Sequence, residues 1–198
     1  MVGARSFEEL KAIWLEKLKN ELSPDLKYHG VWHTRYVLEL SESLGRALAL
    51  NDHDLILVLT AALFHDTGFT IDPEGHESSS CQIVRENLLS SAYTEKDIAK
   101  IEEMIMATRI PQDPPHALAE ILCDADLAYI GTNEYFKISA LLSEEWRRLG
   151  KGMDQKEWLD VQIRFLESHS FFTAPARKRF KATKAMNLQL LKDERSKL

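Results

Sequence analysis

Ala61 to Phe69 reads AALFHDTGF, an apolar stretch that stops on adjacent His65 and Asp66. Neighbouring residues point about 100° apart on an ideal helix, so this imidazole and carboxylate can reach one ion only where the helix ends and its geometry relaxes. Gly68, two residues past Asp66, marks such an end. A mixed nitrogen and oxygen donor set suits a hard or borderline divalent ion, namely Mn, Mg, Fe, Co, Ni or Zn, whereas soft metals call for cysteine. Taken alone, the dipeptide also reads as a histidine at a helix C-terminus with its carboxylate partner. His29 and His33 precede this helix in YHGVWHT, and His33 lies on a helical turn able to face its end. Asp124 and Asp126, in ILCDADL, sit in an apolar helix, where a carboxylate is costly unless it meets a cation or several donors. They are about 200° apart around that helix, so one is a ligand and the other is solvated or lies behind it.

The elements that must position these residues read as helices throughout. Ser6-Phe7-Glu8-Glu9 is a capping box, followed by Leu10, Ile13, Trp14, Leu18 and Leu22 at helical spacing. Ser23-Pro24 breaks that helix, and a second carries Trp32, Tyr36, Val37, Leu40, Leu44 and Leu48. A third starts at an Asn51 cap, is apolar on nearly every side from Leu55 to Phe64, and is closed by Gly68. Further helices are expected from about His76 to Leu89, from the Thr94-x-x-Asp97 cap to about Thr108, and from Ala117 to Ile130. Pro111, Pro114 and Pro115 force an extended connection between the last two. Helices at about 133 to 149, 155 to 168 and 174 to 193 complete the chain. With no alternating strand pattern, repeat or low-complexity linker, the expectation is an all-α bundle forming a single domain over residues 1–198.

Composition narrows the partners. Acidic residues outnumber basic ones 31 to 25, so the molecule repels nucleic acid and anionic membrane overall. A basic run, Arg177, Lys178, Arg179, Lys181 and Lys184, reads as a solvated helix face. The longest apolar run falls well short of the roughly 20 residues of a membrane span. The N-terminus lacks the pattern of a secretory signal, and a cytoplasmic location is the default expectation. Cys81 and Cys123 are too few for a disulfide framework and read as buried thiols. His53, His116 and His169 carry no supporting pattern and are assigned to surface or packing.

YHGVWHT, LFHDTGF and DADL, in that order and on these helices, resemble the HD-domain metal-dependent phosphohydrolases, whose pattern is His, then His-Asp, then Asp. The resemblance extends over roughly residues 28 to 185, and MATRIPQDPPHALAEILCDADLAYIG with LESHSFFT looks like a bacterial subgroup of predicted phosphohydrolases. It implies an all-α HD-type fold in which His33, His65, Asp66 and Asp126 hold one divalent metal ion. Asp66 would orient or deprotonate water beside the open coordination position, and His29, with the same Tyr-His opening as some members, would protonate the leaving group. His76 and Glu77 match a Gly-His followed by an acid in some deoxynucleotide-cleaving members, which implies proton transfer or a phosphate contact. Two-metal members carry histidines where this chain has Thr108 and Arg109. That departure weighs against a full second metal, although His76 and a bridging Asp66 leave a weak one open. Thr108 and Arg109 are instead candidates for binding substrate, Arg109 by gripping phosphate bidentately. The implied activity is hydrolysis of a phosphate mono- or diester of a nucleotide or similar small metabolite. The alternative is a metal-containing ligand-binding or regulatory module with little turnover. The implied partner is a small phosphorylated substrate, with neither membrane nor nucleic acid, and assembly into a homo-oligomer is left open.

Overall fold

Helix signals in the sequence become nine α-helices among the described residues, 4–88 and 93–198 of the computed structural model, with no strand among them. They are α1 (Ala4–Glu21), α2 (Val31–Ala47), α3 (Asp52–Phe64), α4 (His76–Leu88), α5 (Glu95–Ala107), α6 (Ala117–Leu127), α7 (Tyr135–Arg148), α8 (Gln155–Ser168) and α9 (Ala174–Arg195). Short 3-10 turns follow α3 at Thr67–Thr70 and α6 at Ala128–Gly131. No helix among the described residues is long and apolar enough to cross a membrane.

The chain, expected as a single domain, groups its contacts into two compact units. One comprises residues 1–23 and 29–126, the other residues 24–28 and 127–198. In the first, α3 is the centre because it is apolar all round: every residue from Leu55 to Phe64 is buried. It packs on α1, α2 and α5, and the Trp14 and Phe64 rings meet at 4.5 Å. Helix α4 packs against α5 and against the Thr67–Thr70 turn. In the second unit α9 packs on α8 and on the Ala128–Gly131 turn, where the Asn187 amide donates to the carbonyls of Ile130 (3.0 Å) and Thr132 (2.9 Å). The buried Glu145 carboxylate there accepts from the backbone N–H of Tyr28 at 2.8 Å.

Local chemistry explains the helix starts. The Asn51 side chain accepts from the N–H of Asp54, and Thr94 with Asp97 forms a reciprocal capping box, both as expected. The expected cap at Ser6 is corrected: α1 begins at Ala4, since neither proline nor glycine between them stops the helix. Ile13, placed on the apolar stripe of α1, is 64 % exposed. Helix α3 ends at Phe64, ahead of Gly68, and α6 gives way to its 3-10 turn at Ala128, ahead of the expected Ile130. Leu89, the expected end of the fourth helix, lies outside the described residues. Cys123 is buried as expected, its thiol donating to the Ala107 carbonyl, but Cys81 is only half-buried, because its face of α4 is incompletely covered.

Candidate metal centre

The end of α3 is built to release its geometry at one residue. His65 keeps helical dihedrals, whereas Asp66, at φ −107° and ψ 7°, has left them, so the two side chains turn to the same place. The orphan carbonyls of the helix end are met locally. The Thr67 hydroxyl donates to the Phe64 carbonyl and the fully buried Ser80 hydroxyl donates to the His65 carbonyl, both at 2.8 Å. Ser80 also accepts from the N–H of Gly68 at 2.8 Å, fastening the 3-10 turn to α4. Gly68 does not close the helix. It permits close approach, because a Cβ there would lie 2.0 Å from the His76 carbonyl oxygen.

His33 comes from the first turns of α2, and Asp126 from the last turn of α6. The His65 Nε2 lies 3.1 Å from Asp66 Oδ2, 3.4 Å from His33 Nε2 and 3.7 Å from Asp126 Oδ1. The His33 Nε2 lies 3.1 Å from Asp126 Oδ1 and 3.5 Å from Asp66 Oδ2. Donor atoms about 2.1 Å from a shared ion stand about 3.0 Å apart at right angles and about 4.2 Å apart across it, so all five separations fit common coordination. His33, His65 and Asp66 form a group able to hold a metal ion, and Asp126 closes it from the side of His33.

Two further details favour an ion. Asp66 Oδ2 is buried and accepts no hydrogen bond, a costly state for a carboxylate oxygen unless a cation meets it. The His65 Nδ1–H donates to the Ala62 carbonyl at 2.8 Å, which turns Nε2 toward the cluster. Without an ion this packing perturbs both groups. Burial alone would lower the His65 pKa, but the nearby charges of Asp66 and Asp126 outweigh it and raise the imidazole to about 9. Burial would raise Asp66, yet the charges of His65, then His29 and His33, hold its carboxyl well below the usual range.

The remaining expected residues are distributed unevenly around this cluster. The His29 and His76 rings each lie 4.1 Å from the Phe69 ring, and 6.1 Å from each other. His76 Nε2 is 3.5 Å from Asp66 Oδ1 and 3.7 Å from the buried Glu77 carboxylate. Thr108 is buried and its hydroxyl donates to the Ile105 carbonyl, capping α5. Arg109 is exposed, and its guanidinium makes no hydrogen bond or ion pair among the described residues. Of the two readings for Asp124, solvation is excluded, since it is fully buried. Two of the histidines assigned to surface or packing meet carboxylates away from the cluster, His53 with Asp97 at 2.9 Å and His116 with Glu103 at 3.3 Å.

Three contributors carry no sequence signal of their own. Gln112, in the proline-rich connection, donates to Asp126 Oδ2 at 3.4 Å and to the Cys123 carbonyl at 3.2 Å, leaving Asp126 Oδ1 for the imidazoles. Ser80 locks the helix end, and Phe69 braces two imidazoles. The order RIPQDPPH and the pattern TGF gave only a loop and an apolar residue to read.

A family model of the HD domain matches residues 31–128. That span takes in His33, His65, Asp66 and Asp126, begins two residues after His29, and ends short of the residues near 185 to which the resemblance was extended. No curated protein and no solved structure matches the chain significantly. Three separate helices delivering His, His-Asp and Asp to one point give that match its physical content, and the chain belongs to the HD-domain family, whose members are usually metal-dependent phosphohydrolases.

Proposed function

We propose that this chain is a divalent-metal-dependent phosphohydrolase that cleaves a phosphate mono- or diester of a nucleotide or related small metabolite. The reading rests above all on the buried, hydrogen-bond-free Asp66 Oδ2 standing within 3.5 Å of two imidazole nitrogens. A divalent ion held by His33, His65, Asp66 and Asp126 would supply a nucleophile at neutral pH and offset charge on the phosphoryl oxygens. Asp66 then has two tasks, since its Oδ2 faces the cluster and its Oδ1 faces His76 at 3.5 Å. Through Oδ1 it orients the attacking water and passes a proton toward His76. His29 protonates the leaving oxygen, and the Phe69 ring, in contact with both His29 and His76, keeps the two imidazoles directed at the same phosphate. The exposed Arg109 is the cation assigned to a non-bridging phosphate oxygen.

The test is turnover of p-nitrophenyl phosphate and bis-p-nitrophenyl phosphate by metal-stripped protein reconstituted with Mn or Mg. Steady hydrolysis that Asp66→Ala abolishes is expected. Binding of a nucleotide panel without product over hours would favour the regulatory module instead.

A further inference from the structure

We propose that the site selects substrates with a single phosphoryl group and turns away di- and triphosphates. The proposal rests on the phosphohydrolase reading and adds to it the charge class of the substrate. Four stretches build the centre: residues 29–35, 65–77, 108–116 and 123–126. Together they carry seven carboxyl groups and only two permanent cations, Arg35 and Arg109. Arg35 is exposed and lies about 200° round α2 from His33, so it points away from the cluster. Arg109 is the one left.

The charge balance at the centre is therefore tight. A divalent ion's two charges are matched by Asp66 and Asp126, and the buried Glu77 carboxylate, 3.7 Å from His76 Nε2, adds a negative group beyond them. Glu77 also occupies the first turn of α4, whose positive end would otherwise suit a phosphate chain. Sites that grip polyphosphates use glycine-rich loops of backbone N–H groups with a lysine. The loop that leads into α4 here, IDPEG before His76, carries no lysine and brings the exposed Asp72 and Glu74. A phosphate monoester carries about 1.5 to 2 negative charges near pH 7. The imidazoles, Arg109 and the ion can meet that much, whereas for the charge of each added phosphoryl group these four stretches hold no further permanent cation. In the reaction, the water oxygen forms the new P–O bond, the ester P–O bond breaks, and the leaving oxygen takes a proton to depart as an alcohol.

Adenosine mono-, di- and triphosphate, with Mn in excess of nucleotide, separate the cases. The expected kcat/KM for the monophosphate exceeds that for the triphosphate by about tenfold or more, a factor that free-energy differences of ordinary charge pairs reach. Glu74→Lys, on the exposed loop, should narrow that ratio several-fold while monophosphate turnover stays within about twofold. Binding is read separately by calorimetry with hydrolysis-resistant phosphonate analogues of the mono- and triphosphate. A triphosphate analogue bound as tightly as the monophosphate one, or equal turnover of both nucleotides, overturns the charge rule. Should every ester resist hydrolysis, the phosphohydrolase reading falls, and the calorimetric ratio still decides this one.

Discussion

At the residue scale the centre is a set of mutual obligations: His65 needs the Ala62 carbonyl to aim its Nε2, Asp126 needs Gln112, and Asp66 Oδ2 needs a cation. Elemental analysis of purified protein should find about one divalent ion per chain, and His33→Ala or Asp66→Asn should reduce it to a small fraction, as loss of one ligand from a four-ligand set does. Metal binding must also displace a proton from His65, which in the metal-free protein holds it up to about pH 9. Below that pH the proton competes with the ion, so apparent affinity rises with pH, by up to about tenfold per unit between pH 7 and 9. Calorimetric Mn titrations across that window check this, and a flat affinity would remove His65 from the ligand set. Gln112→Leu leaves Asp126 Oδ2 without its donor, and a loss of about 10- to 100-fold in metal affinity is expected. His65, Asp66 and Asp126 were legible because each breaks an apolar pattern. Gln112 was not, because a polar residue in a proline-rich loop is ordinary until its partner is known.

Among the elements, the junction of α3, the Thr67–Thr70 turn and α4 carries the most consequence. Gly68→Ala would drive a Cβ into the His76 backbone, and nothing flexible stands there to yield. A stability loss of about 1–3 kcal/mol is expected from overpacking of this kind, with metal content falling alongside it. Chemical denaturation and elemental analysis report the two effects. The start of α5 makes a simpler case. Burial would raise the Asp97 carboxyl, but the Thr94 N–H and hydroxyl, with His53, hold it below the usual range. A carboxyl lowered on folding adds stability above its unfolded pKa of about 4, and that contribution is lost as pH falls through the lower folded value. Thr94→Ala removes one side of the box and should cost about 1 kcal/mol. The Asn51 and Thr94 caps could be read in advance because their bonds span only three residues. The role of Gly68 could not, since the atom that crowds it belongs to His76, across a turn.

For the molecule as a whole, a net charge of −6 and the use made of the basic run bear on its partners. Arg177 donates to the carbonyls of Phe171 and Phe172, Lys184 to that of His169, and Arg179 lies over the Phe180 ring, so these cations secure the start of α9. Lys178 and Lys181 stay exposed, but against the net acidic charge a labelled single-stranded oligonucleotide should show no retention at about 0.15 M salt. Gel shift or anisotropy decides it. Helical class, most helix limits and the central position of α3 are local properties, since apolar period, caps and breakers act over a few residues. Which of Asp124 and Asp126 faces the imidazoles, that Gln112 holds the chosen one, and that Phe69 braces His29 and His76 depend on contacts between segments far apart in the chain. Packing in three dimensions selects those pairs, and no spacing along one helix encodes them.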